Sequence, residues 1–342
     1  MSQHRQRPSG TGNALLIAAV AAGLVALPTA PVLAADPPTG NVIHVAMTGS
    51  DTGTGTEAAP YRSVNKAAQV AEPGDTVAIH AGLYRELVEP ARGGTDEASR
   101  ITYTNAGDGE VVIKGSEEID TWFQYSGDVW GVTIPNTFFG DWNPYSQCQR
   151  IGGGGCPTNW YYSAGDVYLD EEAYYQKRTV ALVEAQANTW SATVDGSSTT
   201  IYANFDGANP NTKMAEINVR RQIFAPSEWG LGYITVRGLT FKHSANTYSD
   251  FPDAELRRQA GAVSVYGGLN WIIEQNIIIN ARTIAIDIGL SCDIWAGNRT
   301  GGIVKTHFHD TDLYGSHIVR GNYIGRAGQS GVAGVFSWRS QI

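Results

Sequence analysis

The sequence predicts an all-β protein, built as a parallel β-helix with an inserted antiparallel β-sandwich-like domain and a short N-terminal capping helix. Three observations carry this. A short amphipathic helical stretch is followed by short, evenly spaced strands. Three later segments, Tyr233–Asn246, Asn270–Ala281 and Ser316–Gly328, align on one another as repeats. Between these two patterns lies a stretch from 119 to 218 with many aromatics and Gly, Asn, Asp and Pro turns. It is too long for a structureless loop.

The chain starts with "MSQHRQRPSGTGN", which carries Arg5 and Arg7 and no acid. An apolar run follows and ends in Val32-Leu33-Ala34 before Ala35-Asp36. A positive segment, an apolar segment and a small-x-small site together predict a cleaved signal peptide over residues 1–35, hence a secreted protein. A membrane anchor is the competing reading. Pro28 and Pro31 disfavour it, and no later run is long enough to span a bilayer.

Residues 36–118 are expected to form the cap and first coils. "VIHVAM" (42–47) reads as a strand. In "YRSVNKAAQVAEPGD", Val64, Ala67, Ala68 and Ala71 recur at helical spacing, Ser63 is the N-cap, and Pro73-Gly74 is the stop. Such a helix would cover the open end of the first coil. "TVAIHAGLYRE", "RITYTNA" and "EVVIKGSEE" return to strand. Within 119–218, "VWGVTI", "DVYLDEEAYYQ", "TWSATVD" and "TTIYANF" are the strand candidates, the last two forming a hairpin.

From 219 to 342 the coil pattern resumes. Val236 to Phe241, Ile273 to Ile278 and Val319 to Ile324 each read as an apolar residue, two polar or small residues, a turn position and an apolar residue. Each coil would bury its inward side chains on the coils above and below. Asn276 and Asn322 fall at the bends, where stacked amides bond from coil to coil.

The net charge of −9 excludes nucleic acid and anionic membrane as expected partners. With 40 Gly, 16 Tyr and 9 Trp in 342 residues, the composition suits an extracellular β-rich protein with carbohydrate as partner. Cys148 and Cys156 flank "QRIGGGG" and can close a small disulfide in an oxidising compartment, leaving Cys292 over; three reduced thiols are the alternative.

No zinc, P-loop or dinucleotide fingerprint occurs, and no cofactor is expected. "THFHDTD" gathers His307, His309, Asp310 and Asp312, and Asp51 lies in a turn-rich loop. Neither is adopted as a metal site, since such loops are more often solvated. Substrate contacts are expected from side chains projecting outward from strands and turns: His243, Asn246, Asp287, His317 and Gln329. For each, a purely structural role competes. Asp287 is the one well-placed strand carboxylate, and the second acid that glycoside cleavage needs is not found.

The segments "HVAMTGSDTGTGTEAAPYRSVNKAAQVAEPGDTVAIHAGLYRE", "VWGVTIPNTFFGDWNPY", "GDVYLDEEAYYQ", "TTIYANFDGANPN", "YITVRGLTFKHSAN" and "WIIEQNIIINARTIAIDIG" resemble glycoside hydrolase family 120. The resemblance implies a right-handed parallel β-helix with an inserted β-sandwich and a retaining β-xylosidase acting on xylo-oligosaccharides. It implies an Asp nucleophile and a Glu acid/base on coils after the segment resembling "GSHIVRGNYIGRAGQSGVAGVFS". No residue here takes either role, so the sequence-based expectation is a chain inactive alone, able to self-associate through an open β-helix end. A non-catalytic carbohydrate-binding or surface module is the alternative, with a polysaccharide lyase behind it.

Overall fold

The computed structural model describes residues 40–148, 162–247, 261–289, 315–334 and 337–342. The predicted signal peptide, Cys156, Cys292 and the "THFHDTD" segment lie outside the described residues. Among the described residues the chain is mostly β, and no helix is long and apolar enough to cross a membrane.

Three sheets are parallel. The first runs β1 (Val42–Val45), β2 (Thr76–Ile79), β4 (Ile101–Asn105), β15 (Ile234–Arg237), β18 (Ile272–Glu274) and β21 (Ile318–Arg320). The second runs β3 (Gly82–Arg85), β5 (Val111–Lys114), β16 (Thr240–Lys242), β19 (Ile277–Ile279) and β22 (Tyr323–Gly325). The third holds β17 (Gly261–Ser264), β20 (Ile284–Asp287) and β23 (Ser330–Ala333). From β15 onward the chain visits the sheets in the order first, second, third, three times over.

Register places one apolar residue from each pass on the one before. In the first sheet the row is Ile43, Val77, Tyr103, Val236, Ile273 and Val319. In the second it is Tyr84, Ile113, Phe241, Ile278 and Ile324. These rows, except the half-buried Ile324, supply a single buried core with Val263 and Ile286 of the third sheet. Short strands suffice because each pass buries its apolar side chains on its neighbours.

The bends are equally regular. Gly238, Gln275 and Gly321 hold φ of 67°, 56° and 63° at matching positions. The next residue carries the ladder: Asn276 Oδ1 accepts from Leu239 N–H (3.1 Å), and Asn322 Oδ1 accepts from Asn276 N–H (3.0 Å). The Asn276 amide also donates to Val236 O (2.9 Å) and Asn322 Oδ1 (3.1 Å). Backbone groups turned away from the ladders at each bend are thereby satisfied.

Helix α1 (Val64–Val70) has the expected ends. The Ser63 hydroxyl accepts from Lys66 N–H at 3.1 Å, and Val64, Ala67 and Ala68 are buried beside Ile43 and Val45. Asp51 accepts from the Arg62 and Ser63 N–H groups (2.9 and 2.8 Å) and from the Ser63 hydroxyl (2.8 Å), so its carboxylate organises the helix start.

The insert contributes two sheets. One is antiparallel: β10 (Glu172–Ala173), β9 (Val167–Leu169), β14 (Ala215–Asn218) and β6 (Ser116–Glu118). The other runs β11 (Tyr175–Gln176), β12 (Thr189–Val194), β13 (Ser198–Asn204), β8 (Val129–Pro135) and β7 (Phe123–Ser126). Their inner faces share a second core containing Val167, Ile217, Trp190 and Ile201. The expected hairpin is the β12–β13 pair. One feature departs from the purely antiparallel expectation: β11 pairs parallel with β12, because α2 (Val180–Glu184) carries the chain back before β12 starts.

Candidate functional site

The second parallel sheet ends in a column of turn residues, three of them left-handed. In register above one another stand Arg85, Lys114, Lys242, Ile279 and Gly325. The residue after each of the last four is Gly115, His243 (φ 65°), Asn280 (φ 57°) and Arg326 (φ 53°). At Gly115 an added Cβ would lie 2.6 Å from His243 O, so the tight stack admits only glycine there. This column faces the insert, and it divides into a buried and an open part.

In the buried part three cations meet the insert's acids. Glu216, fully buried on β14, accepts from Lys114 Nζ (2.8 and 3.0 Å), Arg85 Nη1 (2.5 Å) and the Ser116 hydroxyl (3.0 Å). Glu171 sits in the β9–β10 turn with φ 74° and pairs with Lys114 and with Lys242 (3.2 Å). His243 lies under the Tyr168 ring, centroids 3.7 Å apart and planes 8° from parallel. Burial, then the nearby Lys114, Lys242 and Arg85 charges, hold its pKa well below the ordinary range, so it is neutral. Glu171, Glu216 and His243 offer ligand atoms within 4.8 Å of one another. The donor set does not fit a metal ion, because the Lys114 ammonium already sits between both carboxylates.

In the open part, Asn280 and Arg326 form one wall of a groove and the insert forms the other. A cavity of about 580 Å³ is lined by Asp166, Glu172, Tyr175, Asn280, Arg282 and Arg326, among others. A second, of about 430 Å³, shares Tyr174, Tyr175 and Arg282 with it and adds Tyr162, Gln176, Lys177 and Gln186. At the start of β11 the side chains alternate: Tyr174, just before the strand, is buried in the insert core and Tyr175, its first residue, stands 73% exposed in the groove.

Two ion pairs cross the groove. Arg282 Nη1 reaches both Asp166 oxygens at 3.3 Å, while its Nε and Nη2 donate to Ser163 O at 3.0 and 2.9 Å. Burial pushes the Asp166 carboxyl up to about 6 against the opposing pull of Arg282. At the rim, Arg326 grips Glu172 with both terminal nitrogens (2.9 and 3.4 Å). Each of these two groove carboxylates thus has a guanidinium partner.

The residues singled out from sequence fall elsewhere. His243, Asn246, Asp287 and His317 are buried, which corrects their expected outward projection; Gln329 is exposed. The reason is common to three of them. Each satisfies groups of an adjacent pass or bend instead of facing solvent. Asn246 accepts from Thr283 N–H (3.1 Å) and donates to Ile284 O (2.7 Å). Asp287 accepts from the Ser264 hydroxyl (2.9 Å) and Gly289 N–H (3.0 Å). His317 Nδ1 accepts from Trp271 N–H (3.2 Å). Burial raises Asp287 to about 8 and lowers His317 to about 3. None of the five is among the lining residues of the two cavities. Cys148 is disulfide-bonded. The groove residues were missed because their walls lie a hundred residues apart in sequence; the acid-aromatic run "DEEAYY" was the available signal.

Residues 119–189 match the family model for the glycoside hydrolase 120 insertion domain. The chain carries that insertion domain. It includes Asp166, Glu172 and Tyr175, so the insert wall of the groove belongs to the matched segment. Residues 47–89 match a protein of unknown function family, DUF1565. The solved complex structure of XylC with xylose is similar to this chain at 36% identity and a TM-score of 0.78. That match covers 87% of this chain and 52% of XylC, so the glycoside hydrolase 120-like chain spans about half the length of XylC. A stretch of 76 residues is 37% identical to the uncharacterized protein YwoF of Bacillus subtilis (strain 168), covering 22% of this chain and 16% of YwoF.

Proposed function

We propose that this glycoside hydrolase-like chain is part of a secreted protein that acts on xylo-oligosaccharides, and that the groove between insert and parallel sheets holds the sugar. The observation that carries the reading is the similarity to XylC in complex with xylose, at 36% identity over 87% of the chain. The three parallel sheets, visited in constant order from β15 onward, are read as the faces of a right-handed parallel β-helix. The groove chemistry supports a neutral sugar. Its carboxylates Asp166 and Glu172 are balanced by Arg282 and Arg326, while Tyr175 offers an apolar face beside amide groups.

The same balance supports binding without cleavage by the 342-residue chain. A retaining glycosidase needs one carboxyl as nucleophile and another as acid/base. Here Asp166 is buried and clamped by Arg282, which leaves Glu172, in its exposed pair with Arg326, as a lone carboxylate without a second acid to work with among the described groove residues. A lyase would need cations open to a uronate; both groove guanidinium groups are engaged by acids, which leaves the single Lys177 ammonium of the smaller cavity to meet one.

The test is titration of the purified chain with xylose and xylotriose, alongside an aryl-xyloside turnover assay. Saturable binding with no turnover is the expected result. Turnover above background would refute the non-catalytic part, absence of xylo-sugar binding would refute the substrate assignment, and an unsaturated uronide product would reveal a lyase.

A further inference from the structure

We infer that Tyr175 partitions the groove into two adjoining sugar subsites, so that this surface selects oligosaccharides over monosaccharides. The inference rests on the carbohydrate reading above and adds chain length and the residue that sets it.

The two cavities, of about 580 and 430 Å³, each fall within the range of small-molecule sites, roughly 300–1,000 Å³. They share Tyr174, Tyr175 and Arg282, so they are neighbouring compartments of one groove. Tyr174 is buried, and Arg282 is held against Ser163 and Asp166. Tyr175 alone of the three stands out into the space. At 73% it is the most exposed aromatic side chain among the described residues.

Its backbone is not loose. Tyr175 N–H donates to Asn188 O (3.0 Å), and the residue pairs with Thr189 in the β11–β12 ladder. The exposed ring is therefore mounted on a fixed strand, with its neighbour Tyr174 anchored in the core. A pyranose presents C–H groups on its faces and hydroxyls at its edges. An aromatic ring between two compartments offers a face to the unit on either side. The edges find different partners in each. The first compartment supplies Asn280, Asn188 and the Glu172–Arg326 pair; the second supplies Gln176, Lys177 and Gln186.

A single sugar occupies one compartment, and a second linked unit gains contacts in the other without a second loss of translational freedom. The full chain would be titrated with xylose, xylobiose and xylotriose, and in parallel with a cello-oligosaccharide series. Wild type, Tyr175→Ala and Tyr175→Phe would be compared. The expected result is affinity rising at least about tenfold from xylose to xylobiose. Tyr175→Ala weakens xylose through loss of one stacked face and xylobiose by more, so that the gain disappears with the melting temperature unchanged; Tyr175→Phe retains the gain, because the ring and not the hydroxyl does the work. Equal affinity for xylose and xylobiose, or a gain that survives Tyr175→Ala, overturns the partition and leaves the xylo-sugar reading standing. Length dependence through Tyr175 in the cello series alone supports the partition and sinks the xylo-sugar reading. Binding of neither series overturns both.

Discussion

The lower and upper parts of one turn column behave in opposite ways. Both stand at the same register position at the ends of the second sheet's strands, and both set cations of the parallel sheets against acids of the insert. Below, Lys114 and Glu216 are fully buried, and the ammonium and carboxylate satisfy one another. Above, Arg326 and Glu172 are 55% and 69% exposed. Exposure alone converts the same chemistry from cement to a ligand-accessible rim. In a low-dielectric site an ion pair cannot be opened without leaving a charge bare; in water it opens at little cost.

The sharpest way to break the comparison is to remove one partner below. Lys114→Met leaves buried Glu216 with Arg85, the Ser116 hydroxyl and neutral His243, and Glu216→Ala leaves buried Lys114 with Glu171 alone. Either is expected to cost about 3–5 kcal/mol, read as a lowered denaturant midpoint. A cost as small as that of a surface pair would show that water reaches the cluster. Next in size is Asn276→Leu, which imitates Leu239 one pass earlier. It orphans the Leu239 N–H and the Val236 carbonyl, and about 1–3 kcal/mol of stability should be lost.

A pH series separates buried from open charge further. Asp287 is raised to about 8 in the folded chain, above its unfolded value. Its contribution is therefore fully present below about pH 4 and is lost as pH rises towards 8, because the unfolded carboxyl ionises first. Asp166, raised to about 6, acts in the same sense but is spent by pH 7. His317, lowered to about 3, acts in the opposite sense: its contribution is present above about 6.5 and falls away at lower pH. The window from pH 7 to 8 isolates Asp287, where stability should fall by about 1 kcal/mol. Asp287→Asn should flatten that slope; an unchanged slope would show that the carboxyl is solvated.

The coil rows were legible in sequence because an inward position must be apolar in every pass. The alignment of Val236, Ile273 and Val319, and of Phe241, Ile278 and Ile324, is the observed register. The Asn276–Asn322 ladder and the Ser63 cap were legible for a similar reason: each follows from local geometry. The groove was not. Its insert wall comes from residues 162–188 and its other wall from 280–328, and nothing periodic links them. Polar residues at bends misled in a consistent direction. A His, Asn or Asp beside a strand end was expected outside, but a stack of passes consumes such side chains in satisfying its own backbone.

The smallest expected effect on stability tests the open part directly. The Arg326–Glu172 pair is forked but exposed, and Arg326→Ala should change stability by less than about 1 kcal/mol. Its consequence lies at the rim. With Arg326 gone, Glu172 becomes an uncompensated carboxylate lining the larger cavity, and Asp166 remains held by Arg282. Neutral sugars should bind more weakly through loss of the guanidinium donors. The double variant Arg326→Ala with Glu172→Gln restores charge balance and should recover part of that affinity without changing the melting temperature. If the single variant unfolded as readily as Lys114→Met, the contrast between the two parts of the column would fail, and the rim pair would belong with the buried cluster.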